Sequence, residues 1–87
     1  MVVKFFGPFR DLAAREATIE LDEPISTRKM LGLLAERYQG FSPYADEGNE
    51  AKLFAHVMFL RNGTPLKMAD RIEDTDQIDV VLPVTGG

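Results

Sequence analysis

The sequence predicts an α+β domain in which one main helix packs on one face of a mixed β-sheet. Three observations favour this fold class. The 87 residues are enough for only one small domain. Four short apolar segments, two in each half of the chain, have the length and the β-branched content of strands. One longer segment between them carries apolar residues at helical spacing.

The first two strands precede the helix. Residues 2–6 form a short, partly β-branched run that a Gly-Pro pair ends, and one helical turn is expected over residues 9–14. Residues 18–22 alternate apolar and polar side chains. We therefore expect a second strand there, with Ile19 and Leu21 facing the core.

The main helix is predicted to begin after the N-cap hydroxyl of Ser26 or Thr27 and to run to about Gln39. Gly32 lies inside this helix at a cost of about 1 kcal/mol relative to Ala, which a close approach to the sheet would explain. Gly40 suits the left-handed position that follows a helix. The apolar stripe of the helix consists of Met30, Leu31, Leu34, Ala35 and Tyr38.

The second half of the chain is predicted to hold a loop and two strands. Residues 41–52 are rich in Pro, Gly and acidic residues, which indicates an exposed loop. The apolar run 53–61 is the best candidate for a central strand, and the Asn-Gly pair that follows it predicts a tight hairpin turn. Residues 66–77 form a polar connection, and the last strand, 78–82, ends at Pro83.

The element order is therefore β-β-α-β-β. Because crossover connections are almost always right-handed, the two chain-terminal strands are expected to lie side by side, parallel, in the middle of the sheet. This is the β-grasp arrangement, the fold of ubiquitin. We expect residues 1–83 to form the domain and residues 84–87 to form a flexible tail, since nothing after Pro83 has the apolar content to pack.

Composition and charge exclude several function classes. With no Cys and one His, the chain has no thiolate or His-rich metal site, and we expect no metal. The net charge of −4 argues against nucleic acid or an anionic membrane as a partner and favours a basic protein surface. The acidic residues between positions 73 and 79 are interpreted as a turn with surface charge. No signal peptide or long apolar span is visible, which predicts a cytoplasmic location.

The C-terminus is the one segment with a chemical signature. Enzyme motifs such as a phosphate-binding loop are missing, but Gly86 and Gly87 end the chain directly after the last strand. Because glycine has no Cβ, these two residues can enter a narrow channel in a partner and present the terminal carboxylate. A frayed end is the alternative interpretation.

Residues 72–87 (IEDTDQIDVVLPVTGG) resemble the end of MoaD/ThiS-type ubiquitin-like sulfur carriers, and most closely MoaD, the small subunit of molybdopterin synthase. That pattern is an acidic turn, a strand and Pro-Pro-Val-[ST/A]-Gly-Gly. Residues 3–12 (VKFFGPFRDL) and 34–38 (LAERY) fit the same family. The chain departs from the pattern at Thr75, which replaces the usual turn glycine, and at Leu82, which stands where a first proline is common.

The resemblance implies a carrier rather than an enzyme, with catalysis left to its partners. A ubiquitin-activating-type adenylyltransferase would use ATP to adenylate Gly87, and a persulfide sulfur donor would convert the adenylate into a thiocarboxylate. The large subunit of molybdopterin synthase would then use this sulfur in molybdenum cofactor biosynthesis. Val84, Thr85 and Gly86 would position the reacting group. No cofactor is expected to bind this chain itself.

Two alternatives use the same tail. One is a sulfur carrier for cysteine, thiamine or tRNA thiolation, and the other is a ubiquitin-like modifier conjugated to lysines. A binding module with an inert tail is a third and weaker interpretation.

The resemblance also implies an apolar partner-binding patch. If Ile78 and Val80 face the helix, Val81 points away from it and needs a partner to cover it. The alternative is that these residues only complete the core. The patch residues are Phe6, Val81, Pro65 and Leu66.

Overall fold

The computed structural model describes residues 1–83, so the predicted tail of residues 84–87 lies outside the described part of the chain. The strands are β1 Val2–Phe5, β2 Glu16–Thr18, β3 Ile25–Ser26, β4 Met58–Arg61, β5 Thr64–Pro65, β6 Arg71–Ile72 and β7 Gln77–Val81. The helices are α1 Phe9–Leu12, α2 Thr27–Arg37, α3 Ser42–Asp46 and α4 Glu50–Phe54, and a 3-10 turn spans Gln39–Phe41.

Five of these strands form one mixed sheet in the order β2-β1-β7-β4-β5. The chain-terminal strands β1 and β7 are parallel neighbours at its centre, with Val3 opposite Ile78, and the other pairs are antiparallel. This topology confirms the predicted β-grasp fold. The short strands β3, just before α2, and β6, just before β7, were not predicted; they pair with each other, with Ile25 opposite Ile72.

The core lies between α2 and one face of the sheet. The helix begins as predicted, because the Ser26 hydroxyl accepts a hydrogen bond from the Lys29 amide at 3.0 Å. It ends at Arg37, slightly earlier than expected, since Tyr38 is already extended. The residues that meet here, each at most 1% exposed, are Met30, Leu31 and Leu34 from the helix and Val3, Phe5, Phe59, Ile78 and Val80 from the sheet.

The explanations offered for two glycines are wrong. Gly40 is not in the left-handed region but in the 3-10 turn, where a Cβ atom would lie 2.8 Å from Leu12 Cδ2. Glycine at this position therefore permits the close approach of α1. For Gly32 the opposite holds, because a Cβ there would meet nothing within 4 Å, so no contact with the sheet explains it.

Most residues of the segment 41–52 are exposed as predicted, but the segment is not a loop, because it contains α3 and the start of α4. Phe41 is fully buried, with its ring centroid 5.6 Å from that of Phe5 and 6.0 Å from that of Phe9. Local signals for the two short helices that follow are present in the sequence. A proline stands in the first turn of α3, and Asn49 caps α4 by accepting a hydrogen bond from the Lys52 amide at 3.0 Å.

The predicted strand over residues 53–61 is also only half right. Leu53 ends up in α4, and the strand starts at Met58. Leu53 and Val57 are both buried and stand four residues apart, which is a helical spacing, whereas alternation begins only with Val57 and Phe59. The second strand is Glu16–Thr18, so it shares only Thr18 with the predicted strand 18–22. Ile19 and Leu21 lie beyond its end, although both are partly buried against the core as expected.

Candidate functional site

An apolar row crosses three adjacent strands at the end of the sheet where the chain leaves β7. Val81, the last residue of β7, pairs directly with Met58 of β4. On its other side, Phe6 follows the end of β1, and its amide donates to the Val80 carbonyl at 3.0 Å. Phe6, Val81 and Met58 are therefore neighbours, and we call these three residues the apolar row.

The apolar row lies on the sheet face opposite α2. Ile78 and Val80 are fully buried beneath the helix, whereas Val81, which follows them in the strand, is half-buried. Val81 thus points away from the helix, as the alternation predicts. Phe6 is 37% exposed although it is a large aromatic residue. Such a surface is typical of a site that a partner covers.

The structure separates the other two residues of the predicted patch. Pro65 is exposed and pairs with Leu60, so it lies on the same face as the apolar row but at the β5 edge. Leu66 is only 4% exposed, and its amide donates to the Phe59 carbonyl at 2.8 Å. Leu66 is therefore a core residue, and the prediction that it belongs to an exposed patch is wrong.

Two further apolar residues near Phe6 and Val81 were not predicted from the sequence. Leu82 is 53% exposed, and a Cβ atom on Gly7 would lie 3.9 Å from Leu82 Cδ1, which places it beside the turn that follows Phe6. Met58 was part of a predicted strand, but the prediction did not say on which face of the sheet its side chain lies. Its outward position follows from alternation with the buried Phe59, so the signal for Met58 was present in the sequence.

Arg10 holds a positive charge at the margin of the apolar row. Its Nε donates to the Phe5 carbonyl at 3.1 Å, and its guanidinium carbon lies 5.8 Å from the centroid of the Phe6 ring. This geometry is a cation–π contact, which orders the guanidinium while leaving its outer N–H groups available.

The next row of the same face is charged. Lys4 lies between Glu16 of β2 and Asp79 of β7, and Asp79 in turn pairs with Leu60 of β4. Directly opposed residues on neighbouring strands share a face, so these side chains form a mixed row of alternating charge. A partner that covers the whole face must be apolar near the end of β7 and polar one row away.

The acidic turn before β7 is occupied by structural hydrogen bonds. The Leu21 amide donates to Asp74 Oδ1 at 2.8 Å, and this bond, followed by the Met1 ammonium at 3.2 Å, lowers the pKa of Asp74. Asp76 Oδ2 accepts from the Glu73 amide at 2.8 Å and from Arg61 Nη1 at 3.0 Å. Within residues 1–83, no cluster of side chains is suited to hold a metal ion.

The tail residues Val84, Thr85, Gly86 and Gly87 lie outside the described residues, and their roles stay predictions. The last described residue is Pro83, two positions beyond the apolar row. Among residues 1–83, no helix has the length and hydropathy needed to cross a membrane.

Comparisons with known proteins agree with this architecture. A model of the ThiS family matches residues 3–87. Small archaeal modifier protein 3 of Haloferax volcanii is 29% identical over 90 residues, which cover 98% of this chain and 96% of that protein.

Solved structures show the same fold. A Pyrococcus furiosus protein, provisionally named molybdopterin converting factor subunit 1, matches with a TM-score of 0.74 and 28% identity over 95% of both chains. Small archaeal modifier protein 1 of Haloferax volcanii matches with a TM-score of 0.77 and 21% identity over 97% of both chains, and at that identity it shows the fold alone.

Proposed function

Because the chain belongs to the ThiS family and is a ubiquitin-like sulfur carrier or modifier, we propose that it carries sulfur as a thiocarboxylate on Gly87 and donates it in molybdopterin biosynthesis. The observation that carries the proposal is the family match, which runs through the Gly-Gly end of the chain. The apolar row beside the end of β7 supports it, since a carrier must dock next to the group that it delivers.

The chemistry takes place on the terminal carboxylate. A carboxylate oxygen of Gly87 attacks the α-phosphorus of ATP in the adenylyltransferase, and pyrophosphate leaves. A persulfide sulfur then attacks the acyl carbon, and AMP leaves with the electron pair of the broken C–O bond. A second thiol attacks the donor-side sulfur of the resulting acyl disulfide. A new disulfide forms on the donor, and the thiocarboxylate on Gly87 takes the electron pair of the broken S–S bond.

In this scheme the chain positions the reacting group and its partners catalyse. Residues 82–87 span at most about 20 Å when fully extended. A partner that contacts Val81 must therefore hold its own active site within about 20 Å of that contact. We propose that the adenylyltransferase and the synthase large subunit both dock on the apolar row, one after the other, with Pro65 at the edge of the contact.

The second candidate function is a protein modifier conjugated to lysines. It is favoured by the printed name of the relative that is 29% identical, a small archaeal modifier protein. The 28% identical Pyrococcus furiosus structure carries a molybdopterin name instead. Carriers for cysteine, thiamine or tRNA thiolation share the same tail chemistry and stay as further alternatives.

Mass spectrometry separates these functions. The full chain is incubated with an adenylyltransferase, ATP and a persulfide donor, and its intact mass is measured. A sulfur carrier gains the mass difference between sulfur and oxygen, and purified synthase large subunit then removes it in the presence of the pterin precursor. Lysine-linked conjugates without this gain would favour the modifier.

The search for conjugates must allow for this sequence. Arg71 is the last basic residue of the chain, so trypsin leaves the whole segment 72–87 on a modified lysine. A search for a Gly-Gly remnant alone would miss every conjugate.

A further inference from the structure

A small apolar pocket adjoins the apolar row on the β5 side. Its volume is about 230 Å³, which is below the range of pockets that take drug-sized ligands and suits a single side chain. Its lining consists of Phe54, Met58, Phe59, Pro65, Leu66 and Lys67.

The β4-β5 hairpin and the end of α4 build this pocket. Leu60 pairs with Pro65, and the Leu66 amide bonds to the Phe59 carbonyl, so the same register places Lys67 opposite Met58. Phe54, the last residue of α4, provides the wall beyond the sheet. The helical segment that the sequence analysis took for a loop therefore creates a concave surface at this edge.

The one charged side chain in the lining of the pocket is positive. Lys67 is the one charged residue among the lining residues and is exposed, whereas the chain as a whole has a net charge of −4. A carboxylate at the rim would meet the Lys67 ammonium, and an apolar group would meet the Met58 and Leu66 side chains. A second copy of this chain, with the same negative charge, is a poor occupant.

Met58 belongs to both the pocket and the apolar row, so a partner docked on the row also contacts one wall of the pocket. We infer that the pocket takes one apolar side chain, of about the size of leucine, from a partner segment whose next residue is acidic and pairs with Lys67. The inference rests on the proposed function for the docking of a partner on this face. It adds the chemistry by which that partner is recognised.

Peptide titration tests the inference on the full chain alone. Methionine methyl groups are labelled with carbon-13, and their NMR signals are followed as acetyl-Leu-Asp-amide is added. Because the other three methionines are at most 7% exposed, the Met58 signal is expected to shift most. The neutral acetyl-Leu-Asn-amide should bind about two- to fivefold more weakly, the range expected for an exposed ion pair. Acetyl-Ala-Asp-amide should produce no shift.

Two lysine variants complete the test. Lys67→Glu should bind acetyl-Leu-Asp-amide no more tightly than the parent chain binds acetyl-Leu-Asn-amide. Lys52→Glu is the matched control, since Lys52 is also exposed, also uses its backbone amide to bond a turn or cap residue, and does not line the pocket. Folding is checked by circular dichroism.

The inference is overturned if no Met58 shift occurs, or if the Asp and Asn peptides bind equally. It is also overturned if Met58 shifts with protein concentration before any peptide is added, which would make a second copy the occupant. The titration needs no ATP and does not depend on the reaction of the tail. A negative titration therefore leaves the sulfur-carrier proposal standing. Conversely, a chain that is never adenylated can still give the expected titration.

Discussion

Met58 pairs directly with Val81 on the sheet face opposite α2. The pair joins the last strand of the chain to the pocket at the sheet edge, because Met58 lines that pocket. Phe6 lies on the other side of Val81, so the three residues form one continuous apolar surface. A partner bound to this pair would contact apolar residues of three strands and would lie beside the end of β7, from which the tail continues.

Replacing Val81 by Asp is expected to abolish partner binding while leaving the fold intact. Val81 is half-buried and points away from the helix, so a carboxylate there meets solvent in the free chain and apolar surface in the complex. The measurement is a pull-down with the adenylyltransferase, with circular dichroism on the same sample. Thr18→Asp, on the exposed edge strand β2, is the matched control and should bind normally. Unfolding of Val81→Asp would show that Val81 is a core residue.

Two glycine substitutions should have opposite effects on stability. Gly32→Ala is expected to stabilise the chain by about 0.5–1 kcal/mol, since Gly32 is inside α2 and its Cβ would meet nothing within 4 Å. Gly40→Ala should destabilise it, because its Cβ would lie 2.8 Å from Leu12 Cδ2 and 3.3 Å from Leu12 Cβ, and the latter atom cannot turn away without a shift of α1. Urea unfolding of both variants decides the matter. If both substitutions raised the free energy of unfolding by the same amount, the close approach of α1 to Gly40 would be contradicted.

Phe41→Ala should cost about 3–5 kcal/mol of unfolding free energy, as expected for a fully buried aromatic side chain. A small domain has about 5–15 kcal/mol in total, so the variant should be close to unfolding. Pro43→Ala, at an exposed position two residues away, serves as the control. A Phe41 variant with nearly unchanged stability would restore the picture of an exposed loop.

Asp74 should make stability depend on pH in the acidic range. The Leu21 amide and the Met1 ammonium lower its pKa in the folded state below the ordinary value of 3.8. Its contribution is therefore complete above that ordinary value and is lost as the pH falls through the lowered one. We expect Asp74→Asn to be less stable than the parent at pH 7, with the difference shrinking below pH 3.8. A difference that is constant between pH 7 and pH 2 in thermal unfolding would contradict this assignment.

Alternation and one turn signal explain most of what the sequence predicted. Asn62 and Gly63 have φ values of 53° and 78°, which is the conformation that an Asn-Gly hairpin turn requires. A two-residue turn fixes the register of the hairpin and brings Leu66 opposite the inward-facing Phe59. The burial of Leu66 was therefore available from the sequence, although the family resemblance suggested an exposed position.

The remainder was set by tertiary contacts. The paired strands β3 and β6 have only two residues each, too few for any alternation to be visible. The helices after Phe41 are five residues long and lack a periodic stripe, so their local start signals at Pro43 and Asn49 were not enough to predict them. Hydrogen bonds to distant groups also hold them in place. Arg28 Nη1 donates to the Glu47 carbonyl at 3.2 Å, and the Met68 amide donates to Glu50 Oε1 at 2.7 Å. No window of local sequence contains both partners of such bonds.

The central claim is that Gly87 carries the reacting carboxylate, and deletion of Gly87 tests it most directly. The deletion shortens the reach of the tail by about 3.5 Å, so the carboxylate no longer arrives at the α-phosphorus of ATP. ATP–pyrophosphate exchange is measured with the adenylyltransferase, and thermal unfolding is measured on the chain alone. We predict an unchanged melting temperature and complete loss of exchange. Full exchange by the shortened chain would contradict both the carrier and the modifier functions.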